Sequence, residues 1–258
     1  MTNSSAQVLI SLLTRLQSST DILEENLANK KSSTSFEELI QIELVKGGFQ
    51  DLSEEWVKCK KGMASYFSNE SIKRARLERH KTLKSYVNEF GGLKTTELRR
   101  DVWNHFPKNC FVRHPNGSQD SIDFLIVVNG YMLYFEIKTG GGLSGKLNDK
   151  PIPAQFFVIM CSRHKEVADN PYTFFQMGDM MSDETYNYYL AVEELTRQQK
   201  VALKNLPYSN KVKQFASKAS ARTICGWGKE NNDWYRKSAN GLSRQDREAN
   251  VLSLLSNL

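Results

Sequence analysis

Asp123, Glu136 and Lys138 stand inside an otherwise apolar stretch, Ser121-Ile-Asp-Phe-Leu-Ile-Val-Val-Asn-Gly-Tyr-Met-Leu-Tyr-Phe-Glu-Ile-Lys-Thr-Gly140. Desolvating a charge costs several kcal/mol unless a partner or a metal compensates it. Either an ion pair or a cation must therefore offset these three groups. Carboxylates are the ligands of hard divalent cations, and two of them on adjacent strands can share one ion. An ammonium group beside them can orient a water molecule or stabilise negative charge in a transition state.

The elements that must position these groups follow from the same stretch. Asn129-Gly130 separates two apolar runs and supplies the positive φ angles of a tight two-residue turn, which reads as a β-hairpin. In its second strand Met132, Tyr134, Glu136 and Lys138 share one face, and Leu133, Phe135 and Ile137 the other. Before the hairpin, Thr95 to Phe106 reads as a helix closed by Pro107, Cys110 to Arg113 as a strand and His114-Pro-Asn-Gly117 as a turn. After it, a Gly140 to Gly145 loop leads to an apolar strand, Ala154 to Cys161. Tyr172 to Met177 is a further strand or the entry to a helix, and a helical segment runs from Ser182 toward Leu203.

The first third is helical in pattern. Val8, Leu9, Leu12, Leu13 and Leu16, then Ile22, Leu23 and Leu27, suit one or two amphipathic helices. Ser35-Phe-Glu-Glu38 opens another through Val45, stopped by Gly47-Gly48. A third pattern begins at Ser53 and runs toward Phe90. The division expected is a helical N-terminal region over 1–90, serving contact with a partner or dimerisation, and a core over 91–258 with a basic C-terminal segment.

With 258 residues, 40% hydrophobic and 25% charged, the chain can bury a sizeable core. The net charge of +6 favours an anionic partner, most simply nucleic acid. Lys73, Arg74 and Arg76 lie in a basic run that suits a solvated helix face and phosphate contact equally. Beyond Pro207, Arg222, Lys229, Arg236 and Lys237 are interleaved with Trp227, Trp234 and Tyr235. Four scattered cysteines without a Cys-x-x-Cys pair read as reduced thiols. The first residues lack a secretory pattern and no run reaches the length of a membrane span, so a cytoplasmic protein is expected. The four histidines are too dispersed to suggest a metal cluster, and the glycine loop lacks the Gly-Lys-Ser/Thr ending of a phosphate-binding loop.

Ile122-Asp123, twelve intervening residues and then Glu136-Ile137-Lys138 resemble the PD-(D/E)XK nuclease motif, with Ile122 in place of the name-giving proline. Phe135 to Gly140, followed by Lys146-Leu-Asn-Asp-Lys-Pro-Ile-Pro153 before an apolar strand, resembles type II restriction endonucleases of that superfamily. The likeness spans roughly residues 92 to 163. It implies a mixed α/β fold with a central mixed sheet flanked by helices, Mg²⁺ as cofactor, double-stranded DNA as substrate and a homodimer. It also implies a cognate DNA methyltransferase as functional partner. Asp123, Glu136 and the backbone carbonyl of Ile137 are the implied metal ligands and Lys138 the catalytic lysine. A helix before the core commonly adds an acid, which selects Glu97 first, with Glu37 or Glu38 behind it. Glu97 also suits an exposed helix residue paired with Arg99 or Arg100. Asp120 competes with Asp123 but lies nearer the Gly117 turn. A structure-selective or repair nuclease on the same core, resembling a junction resolvase, and a DNA-binding module without catalysis are the alternatives.

Overall fold

A computed structural model of the chain describes residues 5–18, 33–60, 96–100, 106–115, 122–140, 142, 153–184, 238 and 240–258, with isolated helical positions between 187 and 202. The described strands form one mixed seven-stranded sheet flanked by helices on both faces. Its centre is the hairpin of β4 (Phe124–Val128) and β5 (Tyr131–Gly140), paired from Phe124↔Phe135 to Val128↔Tyr131. Asn129 and Gly130 have φ of 50° and 84°, as the Asn-Gly turn requires. The Asn129 side chain donates to Leu258 O at 2.9 Å, which ties the turn to the C-terminal helix.

On one side, β3 (Asn109–Arg113) lies antiparallel to β4, and β1 (Gln50–Asp51) lies parallel to β3. On the other, β6 (Phe157–Ser162) runs parallel to β5 from Phe135↔Phe157 to Gly140↔Ser162, and β7 (Tyr172–Gln176) closes the order antiparallel to β6. The strands expected at Cys110, Ala154 and Tyr172 are present with ends shifted by up to three residues. After β7 the chain does both things its sequence allowed, since Met177–Met180 is a short helix.

The helix expected over Thr95 to Phe106 is absent at its described residues. Arg99–Arg100 form β2, antiparallel to β5 through Arg99↔Met132 and Arg100↔Tyr131. β6 reaches β5 only from Phe135 onward, so Met132 and Tyr131 would otherwise leave backbone groups unpaired on that edge. Filling it outweighs the helical periodicity of this segment.

The strict alternation of β5 divides the core. Leu133, Phe135 and Ile137 pack with Phe111, Phe124, Ile126, Phe157 and Phe174 beneath α1 (Ser5–Ser18), α2 (Ser33–Lys46) and the C-terminal helix Arg244–Ser256. Met132 and Tyr134 pack on the opposite face with Val112, Leu125, Phe156 and Met160, covered by Trp56 of α3 (Ser53–Lys60) and by Met177 and Met180 of α4 (Met177–Met180). Each buried phenylalanine contributes about 1.5–3 kcal/mol relative to exposure. The packing crosses residue 91, because α1 and α2 share one cluster with the strands that follow.

The C-terminal helix, α5 (Arg244–Ser256), carries a complete capping box. Ser243 Oγ accepts from Asp246 N at 3.1 Å, and Ser243 N donates to Asp246 Oδ2 at 3.2 Å. Arg244 anchors α5 to the sheet edge by donating to Asn170 O at 3.1 Å and Asn170 Oδ1 at 2.8 Å. No described helix is long and apolar enough to cross a membrane.

Candidate metal centre

The site lies where β3, the segment before β4, and β5 meet the first turns of α2. Asp123 precedes β4 by one residue and is clamped against β5. Its N–H donates to Phe135 O at 2.9 Å, and its Oδ2 accepts from Ile137 N at 2.7 Å. Its carbonyl accepts from His114 N at 2.8 Å. Glu136 continues the face of Met132 and Tyr134 and is 1% exposed, and its Oε1 accepts from Lys138 Nζ. The ion pair expected between these two therefore forms. Glu136 Oε2 is buried without a hydrogen-bond partner among the described residues.

Glu37 supplies the third acid. Phe36, Ile40 and Leu44, spaced by four residues, fix the buried stripe of α2 in the core, and Glu37, 6% exposed, is set beside that stripe. Gly48, with φ of 85°, ends the helix, and Phe49 N donates to Leu44 O at 3.0 Å across the stop. Gly47 is required by close approach, because a Cβ there would meet Val8 Cγ1 of α1 at 2.1 Å.

Arg113 Nη2 contacts Glu37 Oε2 at 3.1 Å, and His114 Nε2 lies 3.2 Å from the same oxygen. Arg113 is itself held. Its Nη1 donates to Gln41 Oε1 at 3.0 Å, Gln41 Nε2 donates to Asp51 Oδ2 at 2.8 Å, and Asp51 Oδ1 accepts from Ser53 N at 2.9 Å. Ser53 Oγ then accepts from Arg113 N at 2.9 Å and closes the ring. The turn after β3 is pinned by Trp56 Nε1, which donates to Pro115 O at 2.9 Å. His114, with φ of 47°, adopts the left-handed conformation that ends the strand.

The electrostatics follow from this burial. Burial, reinforced by the negative charge of Asp123, pushes the Glu136 carboxyl up to about 7 despite the pull of Lys138. Burial also raises Asp123, against the opposing bond from the Ile137 amide. Burial works in the same direction on Glu37, but the hydrogen bonds and charges of His114 and Arg113 outweigh it and hold this carboxyl below its ordinary range. Negative charge is therefore concentrated here at a desolvation cost that a cation would relieve.

Glu37, His114 and Asp123 offer ligand atoms that all lie within 4.8 Å of one another. This donor set of two carboxylates and one imidazole fits a divalent cation. Asp123, Glu136 and Lys138 are brought together as their spacing implied, and Ile137 enters through its amide. Glu97 is not. It is exposed on the extended segment before β2, which pairs with Tyr131 and Met132 at the far end of β5 from Glu136. Arg99 Nε donates to Gln155 Oε1 at 3.0 Å, and the Arg100 guanidinium sits 4.7 Å over the Tyr131 ring. Glu38 is exposed as well. The chain presents Glu37 instead, and it presents His114, which the scattered positions of the histidines along the sequence concealed. The signal was the End-of-strand turn His114-Pro-Asn-Gly117, which places residue 114 beside the strand that begins at Asp123. Lys73, Arg74, Arg76, Asp120, Arg222, Lys229, Arg236 and Lys237 lie outside the described residues.

Compared with family models, curated proteins and solved structures, the chain finds no match.

Proposed function

We propose that the chain is a Mg²⁺-dependent nuclease on a PD-(D/E)XK core, and specifically a type II restriction endonuclease that cuts double-stranded DNA at a defined sequence. The observation that carries this reading is the convergence of Asp123, Glu136 and Lys138 at one end of a buried hairpin, with Glu136 Oε2 buried and without a partner among the described residues. The order antiparallel hairpin, parallel strand, antiparallel strand around that hairpin is compatible with the same core.

Asp123 and Glu136 would hold the cation, with the Ile137 carbonyl as the further ligand that the resemblance implies. When bound, the cation supplies neutralisation of charge on the phosphate and a lowered pKa for a coordinated water. The protein's own part is positional. The Ile137 amide fixes the rotamer of Asp123, and the sheet fixes Glu136 and Lys138 two residues apart on one face. With Glu136 engaged by a cation, the Lys138 ammonium, which otherwise donates to Glu136 Oε1, would be free to donate to the attacking water or to the phosphate oxygens. Water oxygen bonds to phosphorus and gives up a proton to solvent, the bond to the 3′ oxygen breaks, and that oxygen takes up a proton from solvent, leaving a 5′-phosphate and a 3′-hydroxyl. The net charge of +6 suits a polyanionic substrate. A homodimer would bring two such sites to the two strands of a symmetric sequence, and a cognate methyltransferase would protect the host's own DNA.

The test is incubation of purified, folded protein with unmodified phage-length DNA and Mg²⁺. Discrete bands are expected. Intact DNA across many substrates would refute the reading, and a preference for branched over linear duplex would transfer it to a structure-selective nuclease.

A further inference from the structure

We infer that the cluster at the end of β3 binds a first-row transition cation, of which Mn²⁺ is the probe, with His114 Nδ1 as its nitrogen ligand beside the carboxylate of Asp123 and with Glu37 holding the ring from the side of Nε2. The inference deepens the proposed function and rests on its reading of this pocket as a divalent-cation site.

Three observations bear on it. The ligand atoms of Glu37, His114 and Asp123 lie within 4.8 Å of one another although they come from α2, the turn after β3 and the segment before β4. His114 Nδ1 is buried without a hydrogen-bond partner among the described residues and lies 3.8 Å from Asp123 Oδ1. A cation held about 2.0–2.2 Å from each donor spans donors up to roughly 4 Å apart, so this pair needs no movement of the strands to share an ion. The other nitrogen, Nε2, faces Glu37 Oε2 at 3.2 Å. A metal-bound imidazole ordinarily directs its second nitrogen at a carboxylate in this way, which fixes the ring and raises its basicity. Finally, Asp123 Oδ2 accepts from the amide of Ile137, and the residue before it, Glu136, is 1% exposed with Oε2 lacking a partner among the described residues.

The donor set decides the metal. Mg²⁺ requires oxygen ligands in a near-ideal octahedron, whereas imidazole favours the first-row transition ions. One nitrogen among carboxylates therefore shifts preference toward Mn²⁺ and the ions that follow it in the series. Arg113 is a positioning residue: it touches Glu37 from the side of the Gln41–Asp51–Ser53 ring and orients that carboxylate.

The test is Mn²⁺ binding to the full chain without DNA, followed by calorimetry and pulsed electron paramagnetic resonance. The wild type should bind Mn²⁺ at least about tenfold more tightly than Mg²⁺ and show nitrogen-14 modulation from a coordinated imidazole. His114→Gln should lose that modulation and about tenfold in Mn²⁺ affinity while Mg²⁺ affinity changes less. Bound Mn²⁺ without nitrogen coupling in the wild type, or unchanged coupling in His114→Gln, would overturn the inference, and the wild-type spectrum decides even if the variant does not fold. Absence of Mn²⁺ binding would remove the cation site altogether. Nitrogen coupling in a protein that leaves DNA intact would uphold the His114 ligand and sink the nuclease reading.

Discussion

Glu136→Gln should stabilise the cation-free protein, and by more at pH 8 than at pH 4.5. In the folded chain burial raises the Glu136 carboxyl from 4.5 to about 7; unfolded, it titrates near the ordinary value. Between those two points the folded state holds a proton that the unfolded state has released, so stability falls as pH rises through this window and levels off above it. At about 1.36 kcal/mol per pH unit the wild type loses about 3 kcal/mol from this group. Glutamine keeps an oxygen for Lys138 Nζ and puts a neutral amide where Oε2 is buried without a partner, so it removes the titration without emptying the site. Asp123 is raised by burial too, and since its negative charge is part of what pushes Glu136 up, the comparison reads the two carboxyls together. The assay is urea unfolding followed by tryptophan fluorescence, in chelator, at several pH values. The stability of Glu136→Gln relative to wild type should grow by about 3 kcal/mol between pH 4.5 and 8. A difference that stays constant over that range would refute the claim that burial of an ionisable Glu136 is what makes this pocket electrostatically costly.

Two further substitutions separate chemistry from architecture. Lys138→Ala should reduce DNA cleavage by about a hundredfold or more while leaving DNA binding in a gel-shift assay; wild-type turnover would remove its assigned role. Glu37→Gln should weaken divalent-cation binding by about tenfold, measured by calorimetry, whereas Glu97→Gln should leave it unchanged. The reverse order would mean that the acid of the site comes from the segment before β2.

Local chemistry accounts for what was legible in the sequence. The Asn129-Gly130 turn sets the hairpin register, and with a side-chain period of two that register sends Leu133, Phe135 and Ile137 to one layer and Met132, Tyr134 and Glu136 to the other. From there Asp123, at the head of the first strand, has to meet the Glu136 to Lys138 end of the second. The stop at Gly47-Gly48 was equally local, since a left-handed glycine ends a helix whatever it packs against. The C-terminal helix has a local signal as well, since Ser243 and Asp246 stand three residues apart before Val251 and Leu255.

Glu37 ranked only behind Glu97 in the sequence because its place depends on packing between distant segments. Near the hairpin in sequence, Glu97 had the better claim, and its periodicity suited a helix. The sheet has another use for that segment: the edge of β5 ahead of β6 would be open, and Arg99 and Arg100 fill it. That pairing carries Glu97 to the end of β5 remote from Lys138. Glu37 arrives instead because Phe36, Ile40 and Leu44 must lie on Phe111 and Phe124, which leaves the next residue along α2 facing the end of β3. The same geometry brings in His114. It is nine positions from Asp123 along the chain, yet Asp123 O accepts its N–H at 2.8 Å, because β3 and β4 are antiparallel neighbours. A candidate ligand set built from a helix, a turn and two strands thus follows from which hydrophobic faces must be covered, and the side chains that could hold a cation are those left over where the covering helix meets the ends of the strands.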